Sequence, residues 1–155
     1  MGHLKGGTMA HSYSQTHIHL VFSTKDRRNF ISKELQPLLW AYLAGICKNY
    51  EMIAVAIGGT ENHVHILFPL SPKLALAKAV QLIKGNSSKW IGEQKIEFAW
   101  QEGYGAFSVS SSNLDQVAGY IRNQEAHHRK FSFEEEFRAL LKKHGVDYDP
   151  KYAVG

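Results

Sequence analysis

The chain has 155 residues, enough for one domain with a real core, and its 44% hydrophobic and 21% charged residues are the balance of an ordinary globular protein. No apolar run approaches the ~20 residues of a membrane-spanning helix, and the opening residues lack a charged-then-apolar signal pattern. A single cysteine, Cys47, excludes a disulfide framework and fits a reducing, cytoplasmic location, while a net charge of +4 and a pI near 9.1 lean toward a polyanionic partner.

Residues 1–12 are Gly-rich and aperiodic and read as a disordered leader. A single domain is expected over residues 13–145, with a flexible tail over 146–155. From Gln15 to Thr24 the residues alternate, with Thr16, Ile18, Leu20 and Phe22 on one face and His17, His19, Val21 and Ser23 on the other, which is a strand. Ser32 can cap a helix to about Asn49, with Leu35, Leu38, Leu39, Tyr42, Leu43 and Ile46 at helical spacing. MIAVAIGG is a short buried strand, GTEN a hairpin turn and HVHILFPL the returning strand.

Ser71-Pro72 supplies the cap and first-turn proline of a second helix, which Gly85-Asn86 is expected to interrupt. FAWQEGYGAFSVSSS is β-rich, as one bent strand or a hairpin. Asn113 can cap a third helix to about Lys130, and Ser132 with Glu135 makes a capping box for a fourth, ending at His144-Gly145. The order β-α-β-β-α-β plus two helices predicts an α+β, ferredoxin-like split βαβ fold: an antiparallel sheet with helices on one face plus C-terminal helices.

The polar residues that break these patterns carry the chemistry. Residues two apart on a strand point the same way, so His63 and His65 project from one face around Val64. Two such imidazoles can share a metal ion or grip a phosphate. The same spacing occurs in THIHL, at His17 and His19, and spacing alone leaves both pairs open as ligands. Position favours 63 and 65, directly after a tight turn at the start of a strand that looks buried on its other side.

On the third helix, Leu114, Val117, Ala118 and Ile121 form the apolar stripe. Tyr120, Gln124 and His127 fall within about 60° of one another on its flank. For an isolated helix this is a snorkelling tyrosine beside solvated groups. With Arg122, Arg129 and Lys130 added it becomes a phosphate-facing surface. Tyrosine can attack a phosphodiester to form a covalent phosphotyrosyl intermediate. A divalent cation, Mg²⁺ or Mn²⁺, held by two imidazoles and the Gln124 carbonyl would polarise the phosphate.

Four stretches, THIHLVFSTKDRR, GGTENHVHILFPLSP, WQEGYGAFSVS and YIRNQEAHH, in this order and spacing over roughly Thr16 to Lys130, resemble the single-tyrosine HUH transposases of small insertion sequences and their REP-associated relatives. The resemblance implies that His63 and His65 are the metal ligands, that the THIHL pair is a decoy, that Tyr120 is the nucleophile and that Gln124 is the third ligand. It further implies cleavage and rejoining of single-stranded DNA at hairpin-bearing ends through a 5′-phosphotyrosine. Relatives of this kind work as homodimers in which one subunit's tyrosine helix completes its partner's histidine site. His127 and His128 are candidates for substrate contact against plain solvent exposure, and Lys84, Lys89, Arg122, Arg129 and Lys130 for phosphate contacts. Trp100 and Tyr104 could stack on unpaired bases, although core packing is the first expectation for Trp100.

Two other readings compete. A metal-dependent phosphodiesterase or other hydrolase would use His63 and His65 with water as nucleophile, but no third histidine and no conveniently spaced acid is evident beside the pair. A non-catalytic domain would hold structured nucleic acid on its basic surface.

Overall fold

The computed structural model describes residues 13–149, so the leader expected over 1–12 and the end of the expected tail, 150–155, lie outside the described residues. Four strands, β1 (His17–Ser23), β2 (Ala56–Gly59), β3 (His63–Pro69) and β4 (Gly105–Val109), form one antiparallel sheet in the order β2-β3-β1-β4. Helices α1 (Leu35–Asn49) and α2 (Leu76–Glu93) are the two crossovers. After β4 come α3 (Leu114–Arg122), a single turn α4 (Gln124–His127) and α5 (Phe133–Lys143). This is the ferredoxin-like α+β arrangement expected from the element order.

Strand alternation sorts the side chains into two layers. Ile18, Leu20, Phe22, Val64, Ile66 and Phe68 face α1 and α2 and make the main core with Leu35, Leu39, Leu43, Ile83 and Ile91. The opposite face carries His19, Val21, Ser23, His63, His65 and Leu67, because the β1–β3 register sets Val21 against His65 and Ser23 against His63. The C-terminal helices cover that face: α3 packs on Ala56 and Leu67, and α5 packs on Val21 and Phe107 through Phe133, Phe137 and Leu141. The sheet is thus sandwiched, and its second face buries His19, His63 and His65 among apolar residues.

Two glycines let the covering helices come close. Gly58 pairs with His65 across β2–β3, and a Cβ at this position would run into the backbone carbonyl of Ile121 on α3. Gly105, opposite Val21, lies where a Cβ would sit 2.7 Å from the Phe137 ring on α5.

Several local expectations are corrected. Gly85-Asn86 does not interrupt α2: Asn86 Nδ2 and Ser87 Oγ donate to the Leu82 and Ile83 carbonyls, and the helix runs on to Glu93. Ser71-Pro72 does not open α2; Ser71 Oγ accepts from the Lys73 amide in a separate turn, and the helix starts at Leu76. Leu38 is exposed rather than core. The third helix does not reach Lys130 unbroken but kinks at Asn123 into α3 and α4, and Asn113 makes no side-chain cap. The Ser32 hydroxyl does accept from the Leu35 amide at the start of α1, and the Ser132–Glu135 capping box is present in both directions. Trp100 meets the expectation of packing, with its ring edge-on to Phe22 and its Nε1–H donating to Ser87 Oγ at 3.0 Å. No helix among the described residues is long and apolar enough to cross a membrane.

Candidate active site

The turn Thr60–Asn62 places His63 and His65 at the head of β3, where both are fully buried. Each imidazole has its Nδ1 occupied and its Nε2 turned inward. His63 Nδ1 lies 2.9 Å from Asn62 Oδ1 and 3.0 Å from Thr60 Oγ. An amide oxygen only accepts, so Asn62 favours the Nδ1–H tautomer, in which the Nε2 lone pair faces the acceptor oxygens of Gln124 and Glu136, a pairing that a cation between them would satisfy. His65 Nδ1 is hydrogen-bonded to His19 Nε2 at 2.8 Å. His19 was expected to be a decoy; it is buried at 3% exposure and stacks on His65, with ring centroids 5.0 Å apart. His17, its partner in THIHL, lies at the other end of β1, opposite Pro69.

The kink at Asn123 brings the helical residues down onto this pair. Gln124 is 1% exposed, its Oε1 2.8 Å from His63 Nε2. The Tyr120 ring stands edge-on to His65 at 5.7 Å and to His19 at 6.2 Å. His127 packs against Tyr120 at 5.4 Å, and His128 Nε2 lies 3.0 Å from Gln124 Oε1. His63, His65, Tyr120, Gln124 and His127 therefore converge within one chain.

One residue at the centre escaped sequence reasoning. Glu136 of α5 is 3% exposed. Its Oε1 lies 3.1 Å from His65 Nε2, 3.4 Å from His63 Nε2 and 3.0 Å from His128 Nε2. Its Oε2 accepts from Gln124 Nε2 at 2.9 Å and from the Tyr120 hydroxyl. The readable signal was helical phase: Phe133, Phe137 and Leu141 form the buried stripe of α5, and position 136 lies on it.

The electrostatics follow from burial. Desolvation, with the neighbouring His65 adding to it, pushes His63 down to about 3, and burial pushes His19 to about 3, so both are neutral at pH 7. Burial opposes ionisation of Glu136, but hydrogen bonds from His128 and His65 and the surrounding imidazoles outweigh it and hold the carboxyl below its usual range. With His63 neutral, N–H donors do more of this work than full positive charges. Burial and the adjacent Glu136 carboxylate raise the Tyr120 phenol, which is therefore protonated here.

His63, His65 and Glu136 each offer one ligand atom, all within 4.8 Å of one another. Inward Nε2 atoms, Nδ1 atoms held from behind and a neutral His63 suit a divalent cation. Beside this cluster, a cavity of about 450 Å³ lined by His19, Asn113, Tyr120, His127 and Lys143 gives access to the phenol.

The basic candidates are dispersed. Arg122 donates to the Val55 carbonyl, and Arg129 borders a small pocket with Lys33 and His128. Lys130 is exposed beyond α4. Lys84 and Lys89 belong to α2, on the far side of the sheet, and the Lys84 ammonium is taken up by the carbonyls of Gln101, Glu102 and Gly103.

Comparison with known proteins identifies the family and the fold. Over 125 residues the chain is 25% identical to the transposase for insertion sequence element IS200 of Salmonella typhimurium, covering 76% of this chain and 82% of that one, and it matches the Salmonella typhi protein equally. A Deinococcus radiodurans R1 crystal structure, provisionally described as a transposase, superposes with a TM-score of 0.60 at 23% identity, covering 80% of this chain and 98% of that one. A REP-associated tyrosine transposase bound to a REP hairpin has the same fold, with a TM-score of 0.59 at 13% identity over 83% of this chain and 74% of that one. Residues 12–124 match the family model described as "Transposase IS200 like", and on that match the chain belongs to the IS200-like transposase family.

Proposed function

We propose that the chain cleaves and rejoins single-stranded DNA through Tyr120, with a divalent cation, Mg²⁺ or Mn²⁺, held by His63, His65 and Gln124. The observation that carries this reading is the convergence of a phenol, a carboxamide and two inward-facing imidazoles from α3, α4 and β3 on one buried point. The Tyr120 oxygen bonds to phosphorus, the bond from phosphorus to the 3′ oxygen breaks, and that oxygen leaves as a 3′-OH while the 5′ side stays on tyrosine as a phosphotyrosine. Because the phosphodiester-type bond is kept, a 3′-OH can attack in reverse and rejoin the strand. A bound cation supplies Lewis-acid stabilisation of the charge on phosphate. Tyr120 must lose its proton on attack, and Glu136 Oε2, already accepting its hydrogen bond, is the nearest base.

The DNA partner is proposed to be a single strand with a hairpin at the element's end, by extension from the relative bound to a REP hairpin. His127 lines the cavity beside the phenol, Arg129 borders a separate small pocket with His128, and the exposed Lys130 follows α4, so these three are the better candidates to meet phosphate. Lys84 and Lys89 are poorly placed for it.

The testing experiment is a denaturing-gel cleavage assay on labelled single-stranded DNA from the element's ends, with Mg²⁺ or Mn²⁺, comparing wild type with Tyr120→Phe. A slow-migrating adduct formed only by wild type with metal is the expected result. The His63–His65–Glu136 group also suits a water nucleophile, so cleavage that persists without adduct in Tyr120→Phe would move the protein to the hydrolase reading.

A further inference from the structure

We propose that Glu136 is itself a ligand of the cation held by His63 and His65, binding through Oε1 while Oε2 holds the Tyr120 phenol. The proposal rests on the cation reading above. It adds a carboxylate from α5, beyond the family match, which ends at residue 124.

The sequence places Glu136 where an apolar residue belongs. It sits on the inner stripe of α5 between Phe133 and Phe137, and a polar side chain at such a position costs stability unless it has a function or full compensation. Its compensation comes from a phenol, a carboxamide and imidazoles. These are the proposed nucleophile and metal-ligand side chains of the site.

Position is tightly enforced. The capping box of Ser132 and Glu135 fixes the first turn of α5, the Phe133 ring lies against His63 with centroids 4.7 Å apart, and Gly105 lets Phe137 seat on the sheet. The carboxylate is thus held by the backbone of α5 against two Nε2 atoms at 3.1 and 3.4 Å. Two imidazoles and one carboxylate are a common set for first-row divalent ions, and the carboxylate binds far more strongly than a carboxamide because it brings a full charge. Its two oxygens would then join the cation to the nucleophile.

The test is Mn²⁺ binding to the DNA-free full-length protein, read by the electron paramagnetic resonance signal of free Mn²⁺, for wild type, Glu136→Gln, Glu136→Asp and His63→Ala. Glu136→Gln keeps the shape and a hydrogen-bond acceptor for Tyr120. It is expected to weaken Mn²⁺ about tenfold or more, with Glu136→Asp intermediate and circular dichroism unchanged. Glu136→Gln binding Mn²⁺ as tightly as wild type, or more tightly, while His63→Ala abolishes binding, would overturn the proposal and leave the histidine site standing. Unchanged binding in His63→Ala would instead overturn the cation reading on which it rests.

Discussion

His19 Nε2 lies 2.8 Å from His65 Nδ1, so the two HxH motifs of this chain meet: the second pair faces the cluster, and one member of the first, His19, holds His65 from behind. A hydrogen bond to its rear nitrogen fixes the aim of a ligating imidazole, and its loss characteristically costs about 10–100-fold in metal affinity or activity. His19→Phe keeps a planar aromatic ring, slightly larger than imidazole, and removes the nitrogen. Mn²⁺ affinity is expected to fall within that range, while His17→Phe, at the far end of β1, leaves it nearly unchanged. Equal behaviour of the two variants in a Mn²⁺ titration would refute the supporting role of His19.

Which parts of this site were legible depended on whether they were local. His63 and His65 could be paired from strand period alone, and Ser132 with Glu135 from capping spacing, because both are encoded within four residues. The role of His19 needed the β1–β3 register, a contact 46 residues apart. Glu136 stands in a run of three glutamates, Glu134 to Glu136, in the first turn of α5, where acidic residues are favourable to the helix dipole and read as solvated. Only the phase relative to Phe133 and Phe137 separates it from its neighbours. The continuity of α2 through Gly85-Asn86 was hidden for a similar reason: Ser87 is buried and bonded to Trp100, a tertiary contact that overrides weak helix propensity.

Gly58→Ala is expected to damage stability and activity together. The added methyl meets the Ile121 carbonyl of α3, a backbone atom that cannot turn aside, and overpacking of this kind costs about 1–3 kcal/mol. α3 carries Tyr120, so adduct formation should fall beyond what the stability loss explains. Gly45→Ala is the control: that glycine is inside α1 with nothing within 4 Å of a Cβ, and the change should stabilise by about 0.5–1 kcal/mol. Urea unfolding midpoints of the two variants moving in the same direction would contradict this account.

Acid should destabilise the metal-free protein. His63 and His19 are pushed from 6.5 down to about 3 in the folded state, so between these values the unfolded chain binds protons that the folded chain does not. Stability from these two groups is fully present above about pH 6.5 and is lost as pH falls toward 3, each contributing up to about 1.4 kcal/mol per pH unit. His128 acts the other way: burial opposes its protonation, but the Glu136 hydrogen bond and charge outweigh this and raise it, so its contribution is lost as pH rises. Burial also lowers His17, His127 and His144, so five lowered imidazoles stand against one raised, and the melting temperature in chelator should fall steadily from pH 7 to pH 4. A flat profile over that range would mean that the imidazoles are not buried as neutral groups.

The tyrosine and the histidines should act from the same chain, in contrast to the composite homodimer that the resemblance implies. Only Ser110 and the short turn Ser111–Asn113 separate β4 from α3, a connection with little reach. α3 is also seated on its own sheet through the close approach of Ile121 to Gly58, and Glu136 of the same chain ties Tyr120 and Gln124 to His65. Moving α3 to a partner would break this buried network in both subunits. An equimolar mixture of His63→Ala and Tyr120→Phe, each inactive alone, is therefore expected to form no DNA adduct, since every chain lacks one half of its site. Adduct formation restored by mixing would place the tyrosine helix of one subunit in the histidine site of the other.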